Sequence, residues 1–237
     1  MQPDGPPRLH AAIVSDGAVP SRAVLDAAWP GWSEGIRLVV AADGGVRHAA
    51  GLGLRVDRWV GDGDSTTPAE LAALEAAGVW IERSAVDKDE SDTELALLAA
   101  LEDGADAISI VGALGGPRLD HALANVALLQ HARLEHRPAV LYDEHGARVS
   151  LLVGPDHRGL PGSRELAGRV GDVVSLLPAG ESAHHVETDG LRYPLRDEPL
   201  VIGRARGVSN VRVAPVARVT VGAGRLLVIE TPARFRP

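Results

Sequence analysis

The sequence predicts an α/β domain followed by an all-β domain. Three observations lead there. Up to about residue 145, short apolar runs alternate with stretches of helical periodicity, the order that builds a mainly parallel sheet with helices on its faces. The apolar runs are nearly continuous rather than alternating, which fits strands buried on both faces. Beyond residue 145 the helical pattern gives out, and short β-rich runs are separated by Gly and Pro.

In chain order, LHAAIVSDG (9–17), IRLVVAADGG (36–45) and VDRWVGDGDS (56–65) read as three strands, each ending in Asp and Gly. PAELAALEAAG (68–78) reads as a helix, then GVWIERS (78–84) as a strand and SDTELALLAALEDG (91–104) as a helix. DAISIVGALGG (106–116) is the fifth strand, LDHALANVALLQHARL (119–134) a helix and PAVLYD (138–143) the sixth strand. Leu95, Leu98 and Ala99, and again Leu119, Leu123 and Val126, recur at helical spacing. The expected first domain, residues 1–145, is thus a Rossmann-like three-layer arrangement with helices on both faces of the sheet. In the second, residues 146–237, ARVSLLVG (147–154), GDVVSLLPAG (171–180), LVIGRARGVSN (200–210), VRVAPVARVTVG (211–222) and RLLVIETP (225–232) predict a β-sandwich or barrel.

The 237 residues carry 32 acidic and 24 basic side chains, a net charge of -8. That balance argues against a nucleic-acid binder, which shows a basic face. No cysteine is present, so disulfide and thiolate chemistry are excluded. No run reaches membrane-spanning length and MQPDGPPRLH lacks a signal-peptide pattern, so a cytoplasmic location is expected. Aromatics make up 3% of the chain, and Lys88 is its only lysine among many arginines, a pattern that coding bias accounts for.

Ligands of open parallel sheets bind at the carboxyl ends of the strands, and here those ends are chemically loaded. They offer Asp43-Gly44-Gly45, Gly61-Asp62-Gly63-Asp64-Ser65, Asp87-Lys88-Asp89-Glu90-Ser91-Asp92, and Gly112–Gly116 followed by Arg118, Asp120 and His121. If the strand stays extended to Asp64, Asp62 and Asp64 face one spot. Their repulsion is then relieved by a hard divalent cation; Mg²⁺ prefers one or two carboxylates with water and phosphate. Taken alone, the segment reads equally well as a turn in which Asp and Gly serve the backbone. Asp89 and Asp92 can share a helix face; Ser91 and Glu94 have capping-box spacing and read as caps. Lys88 is a point charge suited to phosphate. The glycine run at a strand–helix junction suits an anion, and Arg118 adds a fork of donors. No P-loop is present. His121 is either a general base or a packed residue beside Asp120. His184 and His185 are adjacent on a strand and point apart, against a metal pair. Physics alone carries this to a Mg²⁺ site handling a polyphosphate, for phosphoryl or pyrophosphoryl transfer or phosphate hydrolysis.

The ordered motifs ADGG (42–45), GDGDS (61–65), DKDESDTELAL (87–97), GALGGPRLDHALANV (112–126) and GLRYPL…GRARGVSN (190–210) resemble thiamine pyrophosphokinase. The likeness runs from about residue 10 to residue 232. It implies an α/β catalytic domain and a β-sandwich domain working as a homodimer with a site shared between subunits. It implies transfer of the pyrophosphoryl group of ATP to thiamine, giving thiamine diphosphate and AMP, with Mg²⁺. On these motifs Asp62, Asp64 and Asp92 become catalytic metal ligands. Asp43, Gly44, Gly45, Lys88, Asp89, Arg118, Asp120 and His121 become the nucleotide and phosphate region, and Ser209 and Asn210 contact thiamine. Two departures stand out. Val211 follows Ser-Asn where the family often has an acidic residue, and Pro117 is inserted in the glycine turn. No aromatic adjoins Ser209, which leaves Trp59, Trp80 and Tyr193 as stacking candidates. The alternatives are a pyrophosphokinase for another hydroxymethyl heterocycle such as a pterin, which GLRYPL…SN disfavours, and a non-catalytic sensor, which the complete acidic set disfavours.

Overall fold

The structure, a computed structural model, describes residues 9–155 and 159–233. Contacts divide it into two units, the described residues up to Gly146 and those from Ala147 onward. Among the described residues no helix is long and apolar enough to cross a membrane.

The first unit holds six strands: β1 (His10–Val14), β2 (Ile36–Ala42), β3 (Arg58–Gly61), β4 (Trp80–Arg83), β5 (Ala107–Val111) and β6 (Ala139–Tyr142). They pair in parallel in the order β6-β5-β1-β2-β3-β4. The chain runs outward from β1 to β4, then returns to place β5 on the other side of β1. The carboxyl ends of β1 and β5 therefore flank the switch point where such sheets bind ligands. Ala11–Val14 and all of β5 are buried, as central strands covered on both faces must be.

The helices are α1 (Arg22–Ala28), the short α2 (Val46–Ala49), α3 (Pro68–Ala76), α4 (Asp92–Glu102) and α5 (Leu119–Ala127). The periodicity did not predict α1, a seven-residue helix capped by the Ser21 side chain, or α2; both are too short for a repeating apolar face. α4 buries Thr93, Ala96, Leu97, Ala99, Ala100 and Leu101. α5 differs from expectation in its packing. Leu119 and Leu123 are 71% and 63% exposed, while Asn125 is the residue it buries, donating to the Ala113 carbonyl at 2.8 Å.

Helix α3 starts with a full capping box. The Thr67 hydroxyl accepts from the Glu70 amide, and the Glu70 carboxylate accepts from the Thr67 amide at 2.8 Å, with Pro68 in the first turn. Glu70 also pairs with Arg47 at 2.9 Å. The Arg47 guanidinium, then the Thr67 donors, lower the Glu70 carboxyl from 4.5 to about 2. A depressed acid stabilises the fold above its unfolded pKa and loses that contribution as pH falls through the folded one. Glu70→Gln is therefore expected to lower the melting temperature at pH 7, with the gap from wild type closing between about pH 4.5 and 2. A gap independent of pH, read by calorimetry, would show that the carboxylate charge is irrelevant.

The second unit contains β7 (Arg148–Gly154), β8 (Gly162–Ala167), β9 (Val173–Pro178), β10 (Ala183–Asp189), β11 (Glu198–Leu200), β12 (Asn210–Val211) and β13 (Val216–Thr231). The long β13 belongs to two antiparallel layers. Its first half pairs with β8 and β10, its second with β7 and β9. Leu152, Leu166, Val174, Leu176, Val186, Val219, Val221, Leu226 and Val228 fill the sandwich between them. The sequence had suggested a break near residues 222–225; instead the strand passes through Gly222 and Gly224, with Gly224 at φ +86°. β8 escaped prediction because its outward residues are polar, and β10 was anticipated only as the strand under His184 and His185. Residues 201–209 are turns rather than the expected strand.

Candidate active site

The site is built on backbone packing at the ends of β1, β2 and β5. The Ser15 and Gly17 amides donate to the carbonyls of Val111 and Gly112, each at 2.9 Å. A Cβ on Gly45 would stand 2.0 Å from the Val14 oxygen, and one on Gly112 would stand 2.2 Å from the Ser15 oxygen. The glycines that suggested a phosphate cradle thus also let three chain segments touch. The Ser15 and Thr93 hydroxyls, 2.9 Å apart and buried, tie the start of α4 to β1.

Asp43 follows β2 in a left-handed conformation, φ +42°, and is 3% exposed. One carboxylate oxygen accepts from the Thr66 hydroxyl at 2.6 Å, the other from the Ser65 amide at 3.1 Å. Its carbonyl accepts from the indole of the fully buried Trp59 at 3.0 Å. Asp62 and Asp64 do not lie on an extended strand as expected. β3 stops at Gly61, Gly63 turns back at φ +82°, and the Asp64 amide donates to the Asp62 carboxylate at 3.0 Å. The turn reading and the cluster reading both hold: the turn brings one oxygen each of Asp43, Asp62 and Asp64 within 4.8 Å of one another.

Lys88 extends this cluster. Its ammonium lies 2.7 Å from Asp92, 3.4 Å from Asp62 and 2.8 Å from the Ser84 hydroxyl. Burial works against its charge, but the Asp92 and Asp62 carboxylates prevail and its pKa is raised. Asp92 thus faces Asp62 across Lys88. Burial, countered by the Thr66 and Ser65 donors but reinforced by Asp64, pushes the Asp43 carboxyl up. The Ser65 hydroxyl, then Asp43, hold Asp64 down. The two titrate as a pair, with Asp43 the better proton holder.

The remaining candidates are dispersed. Asp89 is exposed. Arg118 grips Asp120 through two bonds of 2.9 and 2.6 Å, both side chains 65% exposed. That guanidinium holds the Asp120 carboxyl well below the usual range. His121 is exposed. Asp16 escaped the sequence reading, although it ends β1 with the same Asp-Gly signature as Asp43-Gly44. Its carboxylate would meet any Cβ on Gly44 at 2.5 Å.

In the second unit, Ser209 sits at φ +59°. The Asn210 side-chain amide is tied to its own turn: its oxygen accepts from the amides of Tyr193 at 3.0 Å and Val211 at 2.9 Å, and one N–H donates to the Tyr193 carbonyl at 2.7 Å. Asn210 therefore fixes the turn carrying Tyr193, a residue 59% exposed. Of the other stacking candidates, Trp59 is sealed in the core, and Trp80 lies at the amino start of β4. His185 is turned to φ +53° at an irregularity of β10, with Nδ1 2.7 Å from Asp197.

Three converging carboxylates with oxygen-only donors fit Mg²⁺. A divalent cation there would offset the burial that disfavours a charged Asp43 carboxylate. Comparison with known proteins points to one family. Residues 32–141 match the family model "Thiamin pyrophosphokinase, catalytic domain", and residues 164–226 match "Thiamin pyrophosphokinase, vitamin B1 binding domain". Thiamine pyrophosphokinase of Bacillus subtilis (strain 168) is 27% identical over 204 residues, 85% of this chain and 90% of the relative. The crystal structure of the Bacillus subtilis enzyme superposes with a TM-score of 0.78 at 24% identity, covering 94% of this chain and 99% of that one. Yeast thiamin pyrophosphokinase gives 0.73 at 14% identity, covering 98% and 89%. The aspartate cluster lies inside the first match and the Ser209-Asn210 turn inside the second, so both halves of the chain point the same way: it belongs to the thiamin pyrophosphokinase family.

Proposed function

We propose that the chain transfers the pyrophosphoryl group of ATP to the hydroxyl of thiamine, releasing thiamine diphosphate and AMP. The observation that carries this is the convergence of Asp43, Asp62 and Asp64 within 4.8 Å, in a chain that also matches a vitamin B1 binding domain. Mg²⁺ held by these carboxylates, with Asp92 at its margin, would neutralise charge developing on the phosphate oxygens.

The chain's own groups then do the positioning. Asp43, fixed by Thr66 and Ser65, is the rigid ligand, and Asp62 and Asp64 complete the set on a tight turn. Lys88 already balances Asp62 and Asp92; it is placed to turn to a phosphate oxygen once another cation takes over that role. Asp89, Arg118, Asp120 and His121 remain candidates for the outer phosphates, with Arg118 exchanging Asp120 for the ligand. Thiamine is assigned to the Ser209 turn. Asn210 holds Tyr193 for ring stacking, a reading supported by the exposure of Tyr193 and the burial of Trp59. Positioning and charge neutralisation carry such transfers, and one aspartate suffices to accept the hydroxyl proton.

We place the enzyme in the cytoplasm as a homodimer with shared sites. Exposed Leu119, Leu123, Ile202 and Val208 supply apolar surface for a second copy, which light scattering would test. The reaction is tested by mixing enzyme, ATP and Mg²⁺ with either thiamine or 6-hydroxymethylpterin. AMP is expected with thiamine alone, falling to background in excess chelator. AMP with the pterin alone would reassign the substrate; binding of thiamine diphosphate without AMP release would make the chain a sensor.

A further inference from the structure

Residues 201–216 bury few side chains and are held mainly by hydrogen bonds, among them Ile202 to Ser182, Gly207 to Leu176, Arg206 to Glu198 and Ser209 to Ser175. Among the described residues between Leu200 and Ala217, a single one is buried, and it is Arg212. The strand that leads into it, β12, is two residues long. Ser209 sits in a left-handed conformation that a non-glycine residue holds only when its surroundings over-determine it. An apolar anchor would normally serve here; this chain uses a guanidinium at 1% exposure.

Two of the guanidinium's three nitrogens are partnered, while Nε is buried without a hydrogen-bond partner among the described residues. Nη2 donates to Glu230, itself 2% exposed, at 2.9 Å, and Nη1 donates to the Leu166 carbonyl. Arg148 holds the other Glu230 oxygen at 2.8 Å. A Cβ on Gly168 would lie 2.8 Å from Arg212 Nε, so only glycine leaves room. The Arg212 amide donates to the Asp172 carbonyl at 2.8 Å, its carbonyl accepts from Gly171 at 2.9 Å, and the next amide, Val213, donates to Gly190 at 2.9 Å. The Arg212 side chain joins the 209–213 segment to Leu166 near the end of β8 and to Glu230 of β13, while its backbone bonds to Gly171 and Asp172 and the Val213 amide bonds to Gly190 after β10.

We propose that Arg212, through its buried pair with Glu230, is a positioning residue that sets the Ser209–Asn210–Tyr193 turn pair for substrate. This rests on the assignment of thiamine to that turn. The guanidinium acts by directional bonds to two acceptors at once, which neither Lys nor Met reproduces.

The test uses Arg212→Met, Arg212→Lys and the double variant Arg212→Met/Glu230→Met, which strands no buried carboxylate opposite Met. Each is examined for thermal unfolding, amide exchange at Val211 and Val213, and steady-state kinetics with each substrate varied. In the folded double variant, exchange at these amides is expected to quicken and KM for thiamine to rise about tenfold or more, with KM for ATP and saturating kcat little changed. Arg212→Lys should fall between. Unchanged exchange and unchanged KM for thiamine in the folded double variant would overturn the proposal, as would parallel losses toward both substrates. Faster exchange with unchanged KM for thiamine, in company with an unaffected Asn210→Ala enzyme, would retain the anchor but refute the assignment of the turn to thiamine.

Discussion

Asp64→Asn is expected to lower thiamine-dependent AMP release by about a thousandfold while moving the melting temperature by no more than about 3 °C. The two halves of this expectation have separate causes. Asp64 is exposed; its amide meets Asp62 and its carboxylate accepts from the Ser65 hydroxyl at 2.9 Å, and its longer-range interactions are with Asp43 and Lys88 of the cluster itself. Asn keeps the size, the turn propensity and the acceptor. What it loses is a negative charge within 4.8 Å of two others, which is what a divalent cation on a polyphosphate requires. Asp43→Asn is a harsher change, because both Asp43 oxygens accept hydrogen bonds and Asn offers one acceptor. A steady-state AMP assay beside a thermal melt separates the two variants. A folded Asp64→Asn enzyme with most of its turnover intact would remove Asp64 from the metal set.

Gly112→Ala should cost both stability and activity. Gly112 has φ +74°, and an added Cβ would come within 2.2 Å of the Ser15 carbonyl and 2.9 Å of its carbon. Those are backbone atoms with no soft route of escape. The left-handed conformation costs roughly 1–2 kcal/mol for an L-residue, and the clash with a buried strand end adds to it. A total of about 3 kcal/mol or more corresponds to a melting temperature lower by about 6–12 °C for a chain of this size. Gly78→Ala is the control. It shares the backbone, φ +81°, but nothing lies within 4 Å of its Cβ, so it should show the conformational cost alone. If the two variants melt together, the close packing of β1 and β5 ends is not what Gly112 protects.

The fold was legible where burial repeats along the chain. Ala11–Val14 is a continuous apolar run and Ala107–Val111 is broken only by Ser109, as central strands buried along their length require. α4 was legible as a helix from Leu95, Leu98 and Ala99, but only Ala99 of these is buried, and the covered face runs through Thr93, Ala96, Leu97, Ala100 and Leu101. α5 shows the limit of that signal: Leu119 and Leu123 have helical spacing yet stand in solvent, since periodicity reports an apolar stripe and not its partner. At the site, the acidic strand ends were readable as a set. Which carboxylates meet was not, because it depends on contacts distant in sequence. Asp43 reaches Ser65 and Thr66 more than twenty residues on, and Gly63 makes a turn where alternation predicted extension. Asn210 was matched as a ligand contact, but its amide is used on the backbone of Tyr193, 17 residues earlier. Nothing in the sequence separates Arg212 from the chain's other arginines. Only its pairing with Glu230, across the fold of β13, marks it as core.

The central claim is that Asp43, Asp62 and Asp64 form one divalent-cation site. Electron paramagnetic resonance of Mn²⁺, titrated into the metal-free full chain with and without ATP, tests it most directly. Wild type is expected to bind Mn²⁺ at this site, with Mg²⁺ competing. Asp62→Asn and Asp64→Asn should each weaken that binding by about tenfold or more, as loss of a charged ligand implies. Undiminished Mn²⁺ affinity in both folded variants would contradict the account.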